Sequence, residues 1–261
     1  MRQLILDSWY VAWRELIKFF RQKVRIIMVI VQPLIWLGLM GNMMGGLTNN
    51  PFAAQALGVS NYLDFMTPGI ILMTVLFGGV FGGLSIVWDR RIAYLEKLLA
   101  SPIRRGAIPL GKTISSMIQG AIQVGIIIIV ASLFGVRFQS GIGGILLIVI
   151  IAMLFCIILS SLSLALASVI KTQEALMAVV NFLIMPLMFT SNALFPMKVM
   201  PDWLATIAKV NPVSYAVNSI RELTIYGWNW DKILPSVGVI LLLDVIFILI
   251  SQYAFQRETV E

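Results

Sequence analysis

Eight residues from Gly106 to Thr113, GAIPLGKT, fit G-x-x-x-x-G-K-[ST], the pattern in which backbone amides, a lysine and a hydroxyl hold nucleotide phosphates and magnesium. Such a site needs a buried strand before the loop and a helix N-terminus after it, because the two together cradle the phosphates. Upstream stands LLASPIRR, in which Pro102 disfavours helix at Ser101, and Arg104 and Arg105 would have to be buried. The run ILLLD, Ile240 to Asp244, imitates a magnesium-binding strand, but it lies inside an apolar stretch far longer than a parallel strand. The fit is therefore read as coincidence, and this chain is not expected to hydrolyse ATP. No catalytic residue and no metal site are expected either. Histidine, the commonest general base and metal ligand, is absent. Cys156 is alone in an apolar block, and no paired carboxylates or HExxH-type cluster occur.

The elements that carry these residues follow from composition. Hydrophobic residues make up 59% of the 261 and charged residues 12%, against roughly 45 to 50% and about 25% in soluble domains. The apolar residues fall in blocks long enough to cross about 30 Å of hydrocarbon as helix. The expected fold is an all-α integral membrane protein with six transmembrane helices, at about 26–46, 65–88, 113–135, 142–169, 175–195 and 233–255. Residues 1–25 form a separate interfacial helix, and 26–261 form one transmembrane domain. In the first segment Ile5, Trp9, Ala12, Trp13, Leu16 and Phe20 fall on one stripe and Asp7, Arg14, Lys18 and Arg21 on another, the pattern of an amphipathic helix lying in the membrane interface.

The net charge of +7 comes from residues flanking apolar blocks rather than from one exposed basic face, so nucleic acid is not an expected partner. Lys and Arg concentrate on the cytoplasmic side of spans. The N-terminal segment and the loop 89–112 carry most of them, whereas Gly45 to Asp64 carries none. Both termini and the loop 89–112 are thus assigned to the cytoplasm, and the segment 196–232 to the outer side.

Within the spans, Gly78 with Gly82 and Gly79 with Gly83 make two G-x-x-x-G pairs, which permit close helix packing either inside the subunit or at a dimer seam. Asp244 is the carboxylate deep in a span and must face protein, water or a partner, because an unpaired mid-bilayer charge costs about 2.5 to 3.5 kcal/mol or more. Asp244 and Asn181 are candidates for a substrate path or for interhelical hydrogen bonds.

In RRIAYLEKLLASPIRRGAIPLGK, from Arg90, the residues Ile92, Leu95, Leu98 and Leu99 share one helix side while Arg91, Tyr94 and Lys97 face away, which predicts a short amphipathic helix ending near Pro102. This stretch resembles the cytoplasmic-loop signature of type-2 ATP-binding-cassette permeases. Ser191 to Leu223, with its Phe-Pro corner, Pro-x-Trp-Leu helix, Asn-Pro and terminal Arg-containing helix, is similar to the family's segment after the fifth span. The likeness covers nearly the whole chain and is nearest the drug/antibiotic-resistance and polysaccharide-export branches.

The resemblance implies a coupling helix seated on a separate ATPase subunit, with Arg91, Glu96, Lys97, Leu99, Ser101, Pro102 and Arg104 as the contacts. It implies outer re-entrant helices before the last span and no cofactor on this chain, ATP and Mg being bound by two copies of an ABC ATPase partner. It further implies a second permease subunit, homo- or heterodimeric, and contact with membrane lipid. The setting would be the cell membrane of a prokaryote, and the cargo an amphiphilic small molecule or drug, or else a lipid-linked polysaccharide. An ion-coupled transporter would call for several intramembrane charges or inverted repeats, which are not found.

Overall fold

Backbone amides in hydrocarbon must be satisfied within their own segment, so apolar blocks of this length fold as helices. The computed structural model describes residues 2–45 and 62–258, and among them no strand forms. The order is α1 (Arg2–Arg21), α2 (Lys23–Gly45), α3 (Tyr62–Arg91), α4 (Tyr94–Ala100), α5 (Ala107–Leu133), α6 (Gly141–Val169), α7 (Gln173–Phe189), α8 (Asp202–Val210), α9 (Pro212–Arg221) and α10 (Trp230–Glu258). A 3-10 turn, Met197–Val199, precedes α8 and a π turn, Glu222–Tyr226, follows α9. The stretch Gly45 to Asp64, free of lysine and arginine, falls mostly outside the described residues.

Among the described residues four helices, α3, α5, α6 and α10, are long and apolar enough to cross a membrane. Helix α7 is apolar but has 17 residues, about 26 Å of rise against a hydrocarbon core of about 30 Å. It stops at Phe189 rather than near 195, because Thr190 and Ser191 turn back onto Pro186 and Met188 carbonyls. Helix α5 begins at Ala107, earlier than the expected 113, so most of GAIPLGKT is its first two turns.

Helix α3 is the axis of the fold, packed on α5 and α6. The four glycines of its G-x-x-x-G pairs face those two helices of the same chain. A Cβ on Gly78 would stand 2.9 Å from Gln123 Oε1 and one on Gly79 would stand 2.7 Å from Leu159 Cβ, while Gly82 and Gly83 abut Ser160 and Ser163. Ser163 uses that proximity to donate to the Val80 carbonyl at 2.8 Å. The pairs therefore serve packing within the subunit.

Two polar layers sit at opposite ends of α3. Asp89 lies in one and Phe65 in the other, about 36 Å apart by helical rise, comparable to a bilayer's hydrocarbon thickness. Helix α1 packs at the Asp89 end, against α5, and α9 at the Phe65 end.

Candidate functional site

Helix α3 ends at Arg91 because Ala93 takes a left-handed conformation, φ 53°, which costs a residue with a side chain on the order of 1 to 2 kcal/mol. The helical phase is reset, and α4 buries Leu95 in a cluster with Leu84, Val87 and Ile108. Leu98 and Leu99 are half-buried, and Glu96 and Lys97 are exposed. Ser101 closes the helix by donating to the Leu98 carbonyl at 2.6 Å. Pro102 and Arg104 project outward beyond it, and Arg91 is exposed with its guanidinium 5.9 Å from the Trp88 ring.

The reset overturns two assignments made for a continuous helix from Arg90. Ile92 is 59% exposed. Tyr94 is turned inward, with the Arg14 guanidinium 3.6 Å from its ring centre, a cation–π contact.

Beneath this stacked pair lies a buried ion cluster. Asp89, 0% exposed, accepts from Lys112 at 2.6 Å, from Arg14 at 3.0 and 3.3 Å and from Lys18 at 3.0 Å. Glu15 accepts from the same three cations at 3.0, 3.2 and 3.4 Å. Lys112 is 1% exposed and donates also to Ser85 Oγ at 2.8 Å. Helical spacing explains the convergence: Ser85 and Asp89 are one turn apart on α3, as Arg14 and Lys18 are on α1. The charges satisfy one another, and removing one of the fully buried pair, Asp89 or Lys112, leaves the other without its closest counter-charge, typically at a cost of about 3 to 5 kcal/mol.

Lys112 is thus more than the boundary marker that its position before a span implies. Gly111 beside it is required by the close approach of α1, since a Cβ there would stand 2.5 Å from the Ser8 carbonyl oxygen and 2.6 Å from Val11 Cβ. The two residues that imitate a phosphate loop are what dock α1 onto α5. Asp7, farther along α1, accepts from the Arg104 amide at 3.3 Å, and Gln252 of α10 donates to the Gly106 carbonyl at 3.2 Å. Helix α1 therefore grips the loop at both ends, near Tyr94 and near Arg104.

Of the intramembrane candidates, Asn181 is exposed on α7, whereas Asp244 is 4% exposed and lies beside Cys156 and the Ile158 backbone of α6. Helix α1 buries Val11, Ala12, Leu16 and Phe19 and exposes Ile5, Trp9, Trp13 and Phe20, so of the stripe expected in the membrane interface only Ala12 and Leu16 turn toward protein. Glu15, Asp89 and Tyr94 were not among the sequence candidates. The one sequence signal of Glu15 and Asp89 is a carboxylate set among cations at the edge of an apolar block.

At the other end of α3, Arg221 donates to the Asn192 carbonyl at 3.0 Å and the Phe65 carbonyl at 3.4 Å, with its guanidinium 4.1 Å from the Phe65 ring centre. Burial draws it down to about 10, which leaves it charged at neutral pH. Asn192 donates to Asn218 at 2.5 Å, and Asn211 caps α9 while donating to the Leu187 carbonyl at 2.8 Å. The expected outer segment is thereby built as two short helices fastened to α3 and α7.

Residues 7–225 match the ABC-2 type transporter family. The chain is 31% identical to the transport permease ycf38 of Cyanophora paradoxa, over 97% of this chain and 89% of that protein. It is 25% identical to the daunorubicin resistance ABC transporter permease protein DrrB1 of Streptomyces coeruleorubidus, over 81% of this chain and 72% of that one. With the inner membrane transport permease YadH of Escherichia coli (strain K12) it shares 27% identity, over 76% of each chain. A multi-pass helical bundle with this loop, and these relatives, place the chain in the ABC-2 type transporter family.

Proposed function

We propose that this chain is the transmembrane permease subunit of an ATP-driven exporter in the cell membrane of a prokaryote. Six spans, α2, α3, α5, α6, α7 and α10, cross the bilayer with both termini and α4 in the cytoplasm, and α8 and α9 are re-entrant from the outer side. ATP and magnesium act on a separate ATPase subunit present in two copies, and a second permease chain, a copy or a relative, completes the pathway. The cargo is an amphiphilic small molecule or drug, a reading supported by the relative named for daunorubicin resistance.

The observation that carries this reading is the double grip of α1 on the loop, which holds α4 rigidly while Glu96, Lys97, Pro102 and Arg104 stay exposed. A short helix so held can pass on a rigid-body push, and its exposed charges fix register on a partner. Closure of the ATPases would push α4. Leu95 would pass the displacement to α3, the ion cluster would pass it to α1, and the unbroken α3 would carry it to the far side of the membrane.

Affinity purification of the tagged chain from its own membranes tests this. An ATPase subunit is expected to co-purify, and Glu96→Ala with Arg104→Ala is expected to cut its recovery by about tenfold or more, the loss when contacts worth more than about 1 kcal/mol each are truncated. Transport by reconstituted chain with no ATPase present would overturn the reading.

A further inference from the structure

A cavity of about 390 Å³ opens between α1, α3 and α5, with Gln173 of α7 at its edge. Its floor is the ion cluster: Lys112 and Asp89 are almost fully buried, and Lys18 lines it with a side chain 40% exposed. Its apolar wall is Phe19, Phe81, Leu84 and Trp88, of which Phe81 and Trp88 are 42% and 49% exposed. The volume is at the small end of the roughly 300 to 1,000 Å³ of sites that bury a small ligand. It admits one extended apolar chain with part of a head group.

Charge selects the head group. Three cations, Arg14, Lys18 and Lys112, meet two carboxylates, Glu15 and Asp89, and the exposed Arg21 and Lys23 follow on the same segment. The lining itself balances Lys18 and Lys112 against Glu15 and Asp89, so the positive excess comes from Arg14 behind it and from Arg21 and Lys23, which flank Gln22 of the lining. Basic pockets between spans beside an anionic leaflet bind anionic head groups. The exposed face of α1, with Trp9 and Trp13 stacked at 6.4 Å, puts this mouth at the depth where head groups lie.

We propose that this cavity holds one anionic phospholipid, its phosphate at Lys18 and Gln22 and one acyl chain along Phe19, Phe81 and Trp88. The bound lipid wedges α1 against α3 and so sets the tightness of the grip that α1 has on the coupling loop. The inference rests on the proposed placement of α1 in the cytoplasmic interface.

The test is native mass spectrometry of the purified full-length protein, with whatever subunits accompany it, given equal amounts of phosphatidylglycerol and phosphatidylcholine. Retention of phosphatidylglycerol is expected to exceed that of phosphatidylcholine by about fivefold or more, the ratio from one basic contact near the surface. Lys18→Gln is expected to remove most of that preference. Phe81→Trp, which fills the cavity without changing charge, is expected to reduce retention of both lipids. Equal retention of the two lipids by the unaltered protein, or a preference that survives both substitutions, would overturn the proposal. The readout needs no ATPase. A chain that retains the lipid yet recruits no ATPase would therefore sink the proposed function alone.

Discussion

The two polar layers at the ends of α3 are built on different principles. At the α1 end charge meets charge: three cations from α1 and α5 share two carboxylates from α1 and α3. At the α9 end the buried guanidinium of Arg221 meets backbone carbonyls and an aromatic face, asparagines bond to one another and to backbone, and the neighbouring ion pair of Lys232 with Glu222 keeps its lysine exposed. Ion pairs shared among several partners can rearrange in steps, because each carboxylate keeps one cation while another shifts within the cluster. Carbonyls fixed in the backbone cannot follow a guanidinium that moves, whereas carboxylate side chains can. The first layer suits an end that must shift with a partner, and the second an end that anchors short helices.

Substitutions can break this comparison. The largest effect is expected from Lys112→Ala, which takes away the one fully buried cation of the cluster and leaves Asp89 to the partly exposed Arg14 and Lys18; it should cost about 3 to 5 kcal/mol, read as a lowered melting temperature of the purified protein. Arg221→Ala removes no counter-charge but leaves two carbonyls without their donor, so about 2 to 3 kcal/mol is expected in the same assay. A loss there equal to or larger than that of Lys112→Ala would erase the distinction between the layers. Gly111→Val forces a side chain against Ser8 and Val11 and should cost about 1 to 3 kcal/mol. It should also free α1, seen as faster hydrogen exchange there and not at α9. The smallest stability change, within about 0.5 kcal/mol, is expected for the exposed Glu96→Ala, whose effect should appear instead as weaker ATPase recovery.

The helices and the loop were legible in the sequence because apolar run length and proline placement are local signals. The ion cluster was not. Lys112 stands at the start of a span, where a lysine needs no explanation beyond topology, and its partner Glu15 lies 97 positions away. Tyr94 was assigned outward because nothing in the sequence marks Ala93 as left-handed, and one such residue rotates all that follow. The glycine pairs announced close packing, but only the fold reveals that α5 and α6 of the same chain fill the space. GAIPLGKT misled for a related reason: glycine and lysine serve a close helix approach and a buried carboxylate as readily as they serve a phosphate.

The claim on which the rest depends is that α1 and the loop that carries α4 move as one body. Asp7→Cys with Arg105→Cys puts one thiol on α1 and the other on the residue after the amide that Asp7 holds, to be joined by a short, reducible bis-thiosulfonate linker, and the native Cys156 is buried and stays out of the reaction. Linking this pair in the reconstituted transporter is expected to leave substrate export at the rate of the unlinked protein. Export that stops on linking and returns on reduction would show that helix and loop must part during the cycle, and would contradict the claim.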